Sequence, residues 1–188
     1  METGRMMGRR RFLTRVIPTT FWANIVTLSL SRNAEAKTVE NESYKILTTT
    51  EAETLAAWCT VIVSGAEEAG VARFVDENLA GNQSASLLLL RYIDASDMAE
   101  FYRKGILGIE KECQHRFGLS FARVTAGQRM KMIEAAVASE MQVWTDPDPN
   151  FFYFISRSDA VDVVYGTQTG FADLKIPYLA HIPPPRPW

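Results

Sequence analysis

The chain has 188 residues, 47% of them hydrophobic and 22% charged, with a formal net charge of −2. That is enough apolar material for one packed domain of ordinary size, and too much for a disordered chain. Six of the 20 basic residues but only two of the 22 acidic ones fall in the first 36. The remainder therefore carries −6, which excludes the basic face that a nucleic-acid partner needs.

Two Cys and two His are too few for a disulfide scaffold or a typical zinc module, and no Cys-x-x-Cys-His is present for covalent haem. Near the start, Arg9 and Arg10 precede Phe12 and Leu13 in the sequence Gly8-Arg9-Arg10-Arg11-Phe12-Leu13. Paired arginines followed by Phe-Leu resemble a twin-arginine export signal. Val16 to Ser31 then form a mild h-region, interrupted by Pro18, Thr19, Thr20, Asn24 and Thr27. Ala34-x-Ala36 supplies the small residues at which a signal peptidase cuts. The run is a poor membrane span, which wants about 20 predominantly apolar residues. An ordinary secretory signal and an uncleaved anchor are the competing readings. The twin-arginine route moves proteins already folded, so a chain using it folds around something or travels with a partner that does.

The expected organisation is a signal over 1–36, a polar linker over 37–45 and a single helical domain over 46–188. Thr48 with Glu51, or Thr50 with Glu53, has capping-box spacing. A helix follows, with Ala52, Leu55, Ala56, Cys59 and Ile62 on one side and Gly65 at its end. A shorter helix covers Val71 to Leu79, with Val71, Phe74, Val75 and Leu79 inward and Gly81-Asn82 closing it. Ser84 to Ile93, with four consecutive leucines, reads as a buried helix rather than a strand. Asp94 to Asp97 forms a turn and N-cap. The clearest helix carries Met98, Phe101, Tyr102, Ile106, Ile109, Cys113 and Phe117, and Gly118 stops it. Thr125 and Gln128 form a second capping box, opening a helix with Met130, Ile133, Val137 and Met141 as its stripe. Asp146-Pro147-Asp148-Pro149 is a stiff break. Phe151 to Val164 resumes as a helix in spite of its aromatic and β-branched density. From Gly166 the chain loses its period, and its last six residues, rich in proline, favour polyproline II geometry. The expected architecture is a small all-α bundle with an extended C-terminal strap over 166–188.

Little in this pattern is catalytic. Glu112-x-x-His115 has the i, i+3 spacing of di-iron carboxylate helices, but such sites need a second copy and two more glutamates, so a solvated helix face is expected. Cys113 and His115 are two apart on a helix and do not face each other. Cys59 and Cys113 fall on apolar stripes as small hydrophobes, with a disulfide left open for an oxidising compartment. No phosphate loop, nucleophile elbow or dinucleotide fingerprint is present. The tail crowds Tyr165, Phe171, Tyr178, Pro183 to Pro185 and Trp188 where little helix exists to bury them. Two readings stand: the strap packs across its own bundle, or part of it anchors another protein, aromatics being favoured there.

The order of several short motifs resembles the gluconate 2-dehydrogenase subunit 3 family. They are Leu47-Thr48 through Glu51-Ala52 and Leu55-Ala56; Glu68-Ala69-Gly70-Val71 through Phe74-Val75-Asp76; Tyr102-Arg103-x-Gly105; Phe117-Gly118-x-x-Phe121; Phe151-Phe152; and Val164-Tyr165-Gly166. The resemblance covers essentially everything after the linker. Val61 to Gly65 runs directly into Ala66-Glu67-Glu68 where the family often has an Ile-Pro loop. Tyr165-Gly166-Thr167 stands where many members have a Gly-Gly-Asn turn, which marks a divergent branch. The resemblance implies a non-catalytic small subunit of a periplasmic FAD-dependent dehydrogenase, with no catalytic, metal or cofactor residues of its own. It further implies FAD in the large subunit, haem c in a cytochrome c subunit, and a helper role in maturation and twin-arginine export of the flavoprotein. Contact with the membrane comes through the complex or an uncleaved signal. Phe171, Tyr178 and Trp188 are the expected partner-binding residues. The competing class is a free-standing periplasmic helical binding or envelope-structural protein.

Overall fold

The computed structural model describes residues 43–81 and 87–177, so Arg9, Arg10, Phe12, Leu13, Ala34 and Ala36, the residues expected to form an export signal, lie outside the described residues. The described residues form helices α1 (Thr49–Ile62), α2 (Val71–Leu79), α3 (Met98–Phe117), α4 (Ala126–Val137), α5 (Pro149–Tyr165) and α6 (Gln168–Asp173). Among them there is no strand, and the fold class is all-α as expected. α1 packs against α2, α3, α4 and α5, and α5 also meets α2, α4 and α6.

Capping chemistry sets most helix starts. Of the two candidate boxes before α1, the one that forms is Thr48 with Glu51: the Thr48 N–H donates to Glu51 Oε2 at 2.7 Å, and the Glu51 N–H to Thr48 Oγ1 at 3.2 Å. Thr125 and Gln128 repeat it at α4. Asp148 Oδ1 accepts the Phe151 N–H at 2.8 Å, with Pro149 in the first turn of α5, where its missing donor costs nothing. Gly118, at φ 69°, terminates α3 in the left-handed conformation. α1 ends at Ile62, earlier than expected, and Gly65 at φ 87° serves the turn that follows rather than the helix end.

The core is strongly aromatic. The Phe152 ring lies 5.5 Å from Phe101, 6.0 Å from Tyr102, 5.6 Å from Trp144 and 6.3 Å from Trp58 between centroids. α3 makes room for this cluster with glycine. A Cβ at Gly105 would overlap the Phe152 ring, and one at Gly108 would overlap the Trp144 indole.

Three expectations need correction. Ser84 to Ile93 is not a helix where it is described: Leu87 is extended and only Leu88–Arg91 make a single 3-10 turn. Leu87 and Leu89 are buried and Leu88 and Leu90 half-buried, as in a short segment laid across α5. The α4 stripe is rotated. Met130 and Val137 are 46% and 45% exposed, while Met132, Ile133, Ala135 and Ala136 are buried, because small alanines let the backbone approach α1 and α5. The first part of the strap is helical rather than extended. Thr167 caps α6 by accepting the Gly170 N–H at 3.0 Å.

Candidate interaction surface

Most motif residues that suggested a family turn out to secure the fold. The Asp76 carboxylate accepts the backbone N–H groups of Lys45 (2.7 Å), Ile46 (2.8 Å) and Leu47 (2.8 Å). Arg103 donates to the Ile46 carbonyl, and Arg73 lies 5.6 Å over the Tyr44 ring. Together they clamp the segment leading into α1. Such a carboxylate satisfies three donors that would otherwise lack a helical partner. Tyr102 donates from its hydroxyl to Asp159 Oδ2 deep inside the bundle. The other oxygen of Asp159, Oδ1, finds no donor among the described residues. Burial pushes the Asp159 carboxyl up to about 7, with the Tyr102 hydrogen bond opposing and nearby Asp162 reinforcing the rise. The Tyr102 hydroxyl is driven well above its ordinary range by burial and then by Asp159. Next to this pair, Trp58 Nε1 donates to Ser156 Oγ at 3.0 Å, and Ser156 Oγ donates to the Phe152 carbonyl at 2.8 Å.

Glu112 does not lie on a solvated face. It is fully buried and accepts the N–H groups of Gln142, Val143 and Trp144 at 2.8–3.1 Å, with Arg116 donating from the next turn. Its charged form is disfavoured by burial but favoured more by those donors, so its carboxyl sits below the usual range. His115 points to the outside and pairs with Gln142 Oε1 at 2.9 Å. The two residues thus hold the Glu140–Trp144 turn from two sides. Among the described residues, no group of three or more His, Cys, Asp or Glu side chains converges as metal ligands do. Cys59 and Cys113 are both buried and free. Burial raises both thiols, Cys113 to about 11, which disfavours the thiolate that nucleophilic chemistry needs.

The surface worth attention is the outer side of α5. Phe152, Ile155 and Ala160 point inward, yet Phe154 and Val161 are each 39% exposed on the opposite side. Tyr92, at the end of the 3-10 turn, is 54% exposed and stands edge-on to Phe151 (5.3 Å, 78°) and Phe154 (6.1 Å, 84°). Phe151 and Phe154 stack at 6.5 Å and 22°. A helix apolar on both sides normally has both sides covered. Contiguous exposed aromatics of this kind mark interaction surfaces. The sequence expectation for this stretch is a helix over Phe151 to Val164, with no side assigned to its rings. The signal was present, because four bulky residues within five positions cannot share one helical face.

Of the expected partner-binding residues, Phe171 lies in α6 and is half-buried. Tyr178 and Trp188 lie outside the described residues. Gly170 sets α6 against the end of α5, where a Cβ would overlap the Val164 carbonyl. Among the described residues, no helix is long and apolar enough to cross a membrane.

No curated protein and no solved structure matches the chain significantly. A family profile does: residues 49–181 match the family described as gluconate 2-dehydrogenase subunit 3. The match runs from the first residue of α1 past α6, through every motif that carried the resemblance except Leu47-Thr48. The chain belongs to the gluconate 2-dehydrogenase subunit 3 family.

Proposed function

We propose that this chain is the non-catalytic small subunit of a periplasmic FAD-dependent dehydrogenase complex, and that it supports maturation and twin-arginine export of the flavoprotein. In this reading FAD belongs to the large subunit and haem c, where present, to a cytochrome c subunit. The observation that carries it is the exposed aromatic side of α5, on a member of a family of dehydrogenase subunits. A subunit with its own chemistry concentrates reactive groups in a cleft. Among the described residues the buried polar groups instead hold helices and turns together, while Tyr92 and Phe154 stand exposed beside Phe151. Tyr92, Phe151 and Phe154 would dock on the flavoprotein, with Phe171, Tyr178 and Trp188 as anchors from the C-terminal side, since desolvated aromatics dominate interface energies. Export of the pair would depend on Arg9 and Arg10, with cleavage after Ala36.

The test is co-expression with the flavoprotein in a cell that has the twin-arginine machinery. Arg9→Lys with Arg10→Lys should hold both proteins in the cytoplasm and abolish periplasmic dehydrogenase activity. Active flavoprotein in the periplasm of cells lacking this chain would overturn the helper reading. Normal export of the double-lysine variant would overturn the twin-arginine route alone.

A further inference from the structure

We infer that the depression between α3 and the segment 143–146 is a binding site for a small monocarboxylate with an apolar body. This does not rest on the helper reading. The chain before and through this segment is pinned to α3 at three points. His115 holds Gln142 at 2.9 Å, Glu112 accepts the N–H groups of Gln142, Val143 and Trp144, and Lys104 pairs with Asp146 at 3.1 Å. Bordered by Gly108 and Lys111 on one side and by Val143 and Trp144 on the other, the depression holds about 310 Å³. That is the low end of the range for small-molecule sites, the space of about ten waters.

The lining is rich in donors and short of acceptors. The pyrrole edge of the Trp144 indole rests against Gly108, so close that a Cβ there would overlap Cδ1 and Nε1. Both residues line the depression, which puts this donor at its floor. Trp144 Nε1 is shielded from bulk solvent and finds no acceptor among the described residues. A phenylalanine ring would pack there without leaving a donor unpaired, so packing alone does not account for an indole. Lys111 has no ion pair or hydrogen bond among the described residues. The positions three and four away from it on α3 are Leu107, Gly108, Gln114 and His115, none of them acidic. The carboxylates around it are engaged elsewhere. Glu110 accepts from Thr54 Oγ1 at 2.9 Å and from the Phe121 N–H, Glu112 holds the turn, and Lys104 binds both Asp146 and Glu100. The lining thus keeps one uncompensated cation, with the Thr145 hydroxyl beside it. Leu107 and Val143, 51% and 42% exposed, form its apolar part. A carboxylate answers this set: one oxygen accepts the indole N–H and the other pairs with Lys111, a charge-assisted bond of the stronger kind. The apolar body then covers Leu107 and Val143.

The experiment follows the Trp144 indole N–H in proton–nitrogen correlation spectra of the full, isotope-labelled chain. The four tryptophans give four such signals, and that of Trp144 is identified by its contacts with Gly108. Benzoate, a small monocarboxylate with an apolar ring, should shift this signal saturably and leave the other three in place. Benzyl alcohol, which keeps the ring and lacks the charge, should bind at least about 10-fold more weakly. Lys111→Met should weaken benzoate to the same degree, and Lys111→Arg should retain it. Lys111 is exposed and makes no bond in the fold, so neither substitution threatens folding. Three results would overturn the inference. Benzoate could leave the Trp144 signal unmoved or shift it without saturation. Benzyl alcohol could bind as well as benzoate, making the depression merely apolar. The Lys111→Met chain could bind benzoate at full strength, placing the cation elsewhere.

Discussion

α3 and α5 cross the same core, but they use their sequences differently. α3 is one-sided. Met98, Phe101, Tyr102, Ile106, Ile109 and Cys113 are buried, and most of the other side is polar, including Lys104, Lys111, Gln114 and His115. α5 places Phe152 at the centre of the aromatic cluster and still presents Phe154 and Val161 to the outside. In α3 a lone Leu107 is left exposed among polar neighbours, whereas α5 leaves an aromatic group outside. α5 carries a second demand, and the apolar residues that folding leaves unused are where that demand can be read.

The largest effect belongs to the inward side. Phe152→Ala removes the ring that Gly105 was shaped to receive and should cost about 3–5 kcal/mol. That is a large share of a domain stability of roughly 5–15 kcal/mol. Urea unfolding followed by circular dichroism gives the value. A loss below about 1 kcal/mol would mean that the cluster repacks without it.

How much of this contrast was legible beforehand depended on periodicity. α3 is long and one-sided, so its buried set was readable down to Ile106 and Cys113. The boxes Thr48–Glu51 and Thr125–Gln128 were readable because capping is local chemistry. α4 was misread because its contacts use alanines, whose burial depends on backbone proximity that a hydrophobic stripe does not encode. Leu87 to Leu90 was misread because four leucines satisfy a buried helix and a short crossing segment equally well. Glu112 and Asp76 were invisible as anchors. Their partners are backbone N–H groups roughly 30 residues away in sequence, and no side-chain pattern announces those. The tail residues were singled out, but the outward rings of α5 were not, because aromatic density marks a helix without saying which of its rings the core uses.

The next effect lies between the two sides and depends on pH. Asp159 has a folded-state value of about 7, above its unfolded value of about 4, so the folded state prefers the protonated form. Its contribution is fully present below about pH 4 and is lost as pH rises through about 7. The loss is about 4 kcal/mol on the size of that rise. Asp159→Asn keeps an acceptor for the Tyr102 hydroxyl and removes the titration. Urea midpoints should then fall from pH 4.5 to pH 7.5 in the natural chain and stay nearly level in the variant, with a small residue from Asp162, whose carboxyl burial also raises. Parallel slopes in the two proteins would show that Asp159 is ionised throughout.

A smaller effect tests a start signal shared by both uses. Thr48→Ala removes the cap that accepts the Glu51 N–H and should cost about 1 kcal/mol. Glu51→Ala removes the reciprocal bond. The double variant should cost less than the sum of the two single ones, because each breaks the same box. Additive losses would show that the two bonds act independently.

The smallest expected effect on folding is the most informative about function. Tyr92→Ser with Phe154→Ser removes one exposed ring from the outer side of α5 and the exposed ring packed edge-on against it. Their contacts with Phe151 are edge-on or stacked, and such pairs contribute about 0.5–1.5 kcal/mol beyond area when fully formed. With both rings half open to water, the isolated chain should lose no more than about 1 kcal/mol. Binding should respond in the opposite proportion. Aromatic anchors at an interface centre cost about 2 kcal/mol or more each when truncated, which is roughly a 30-fold loss of affinity per residue. Co-purification of the flavoprotein from co-expressing cells should therefore fail with the double-serine variant, although the variant is stable, soluble and exported. Phe152→Ala gives the control: it should reduce the amount of folded chain while leaving the affinity of the surviving fraction unchanged. If the double-serine variant retains the proposed flavoprotein partner at full affinity, that partner binds another face.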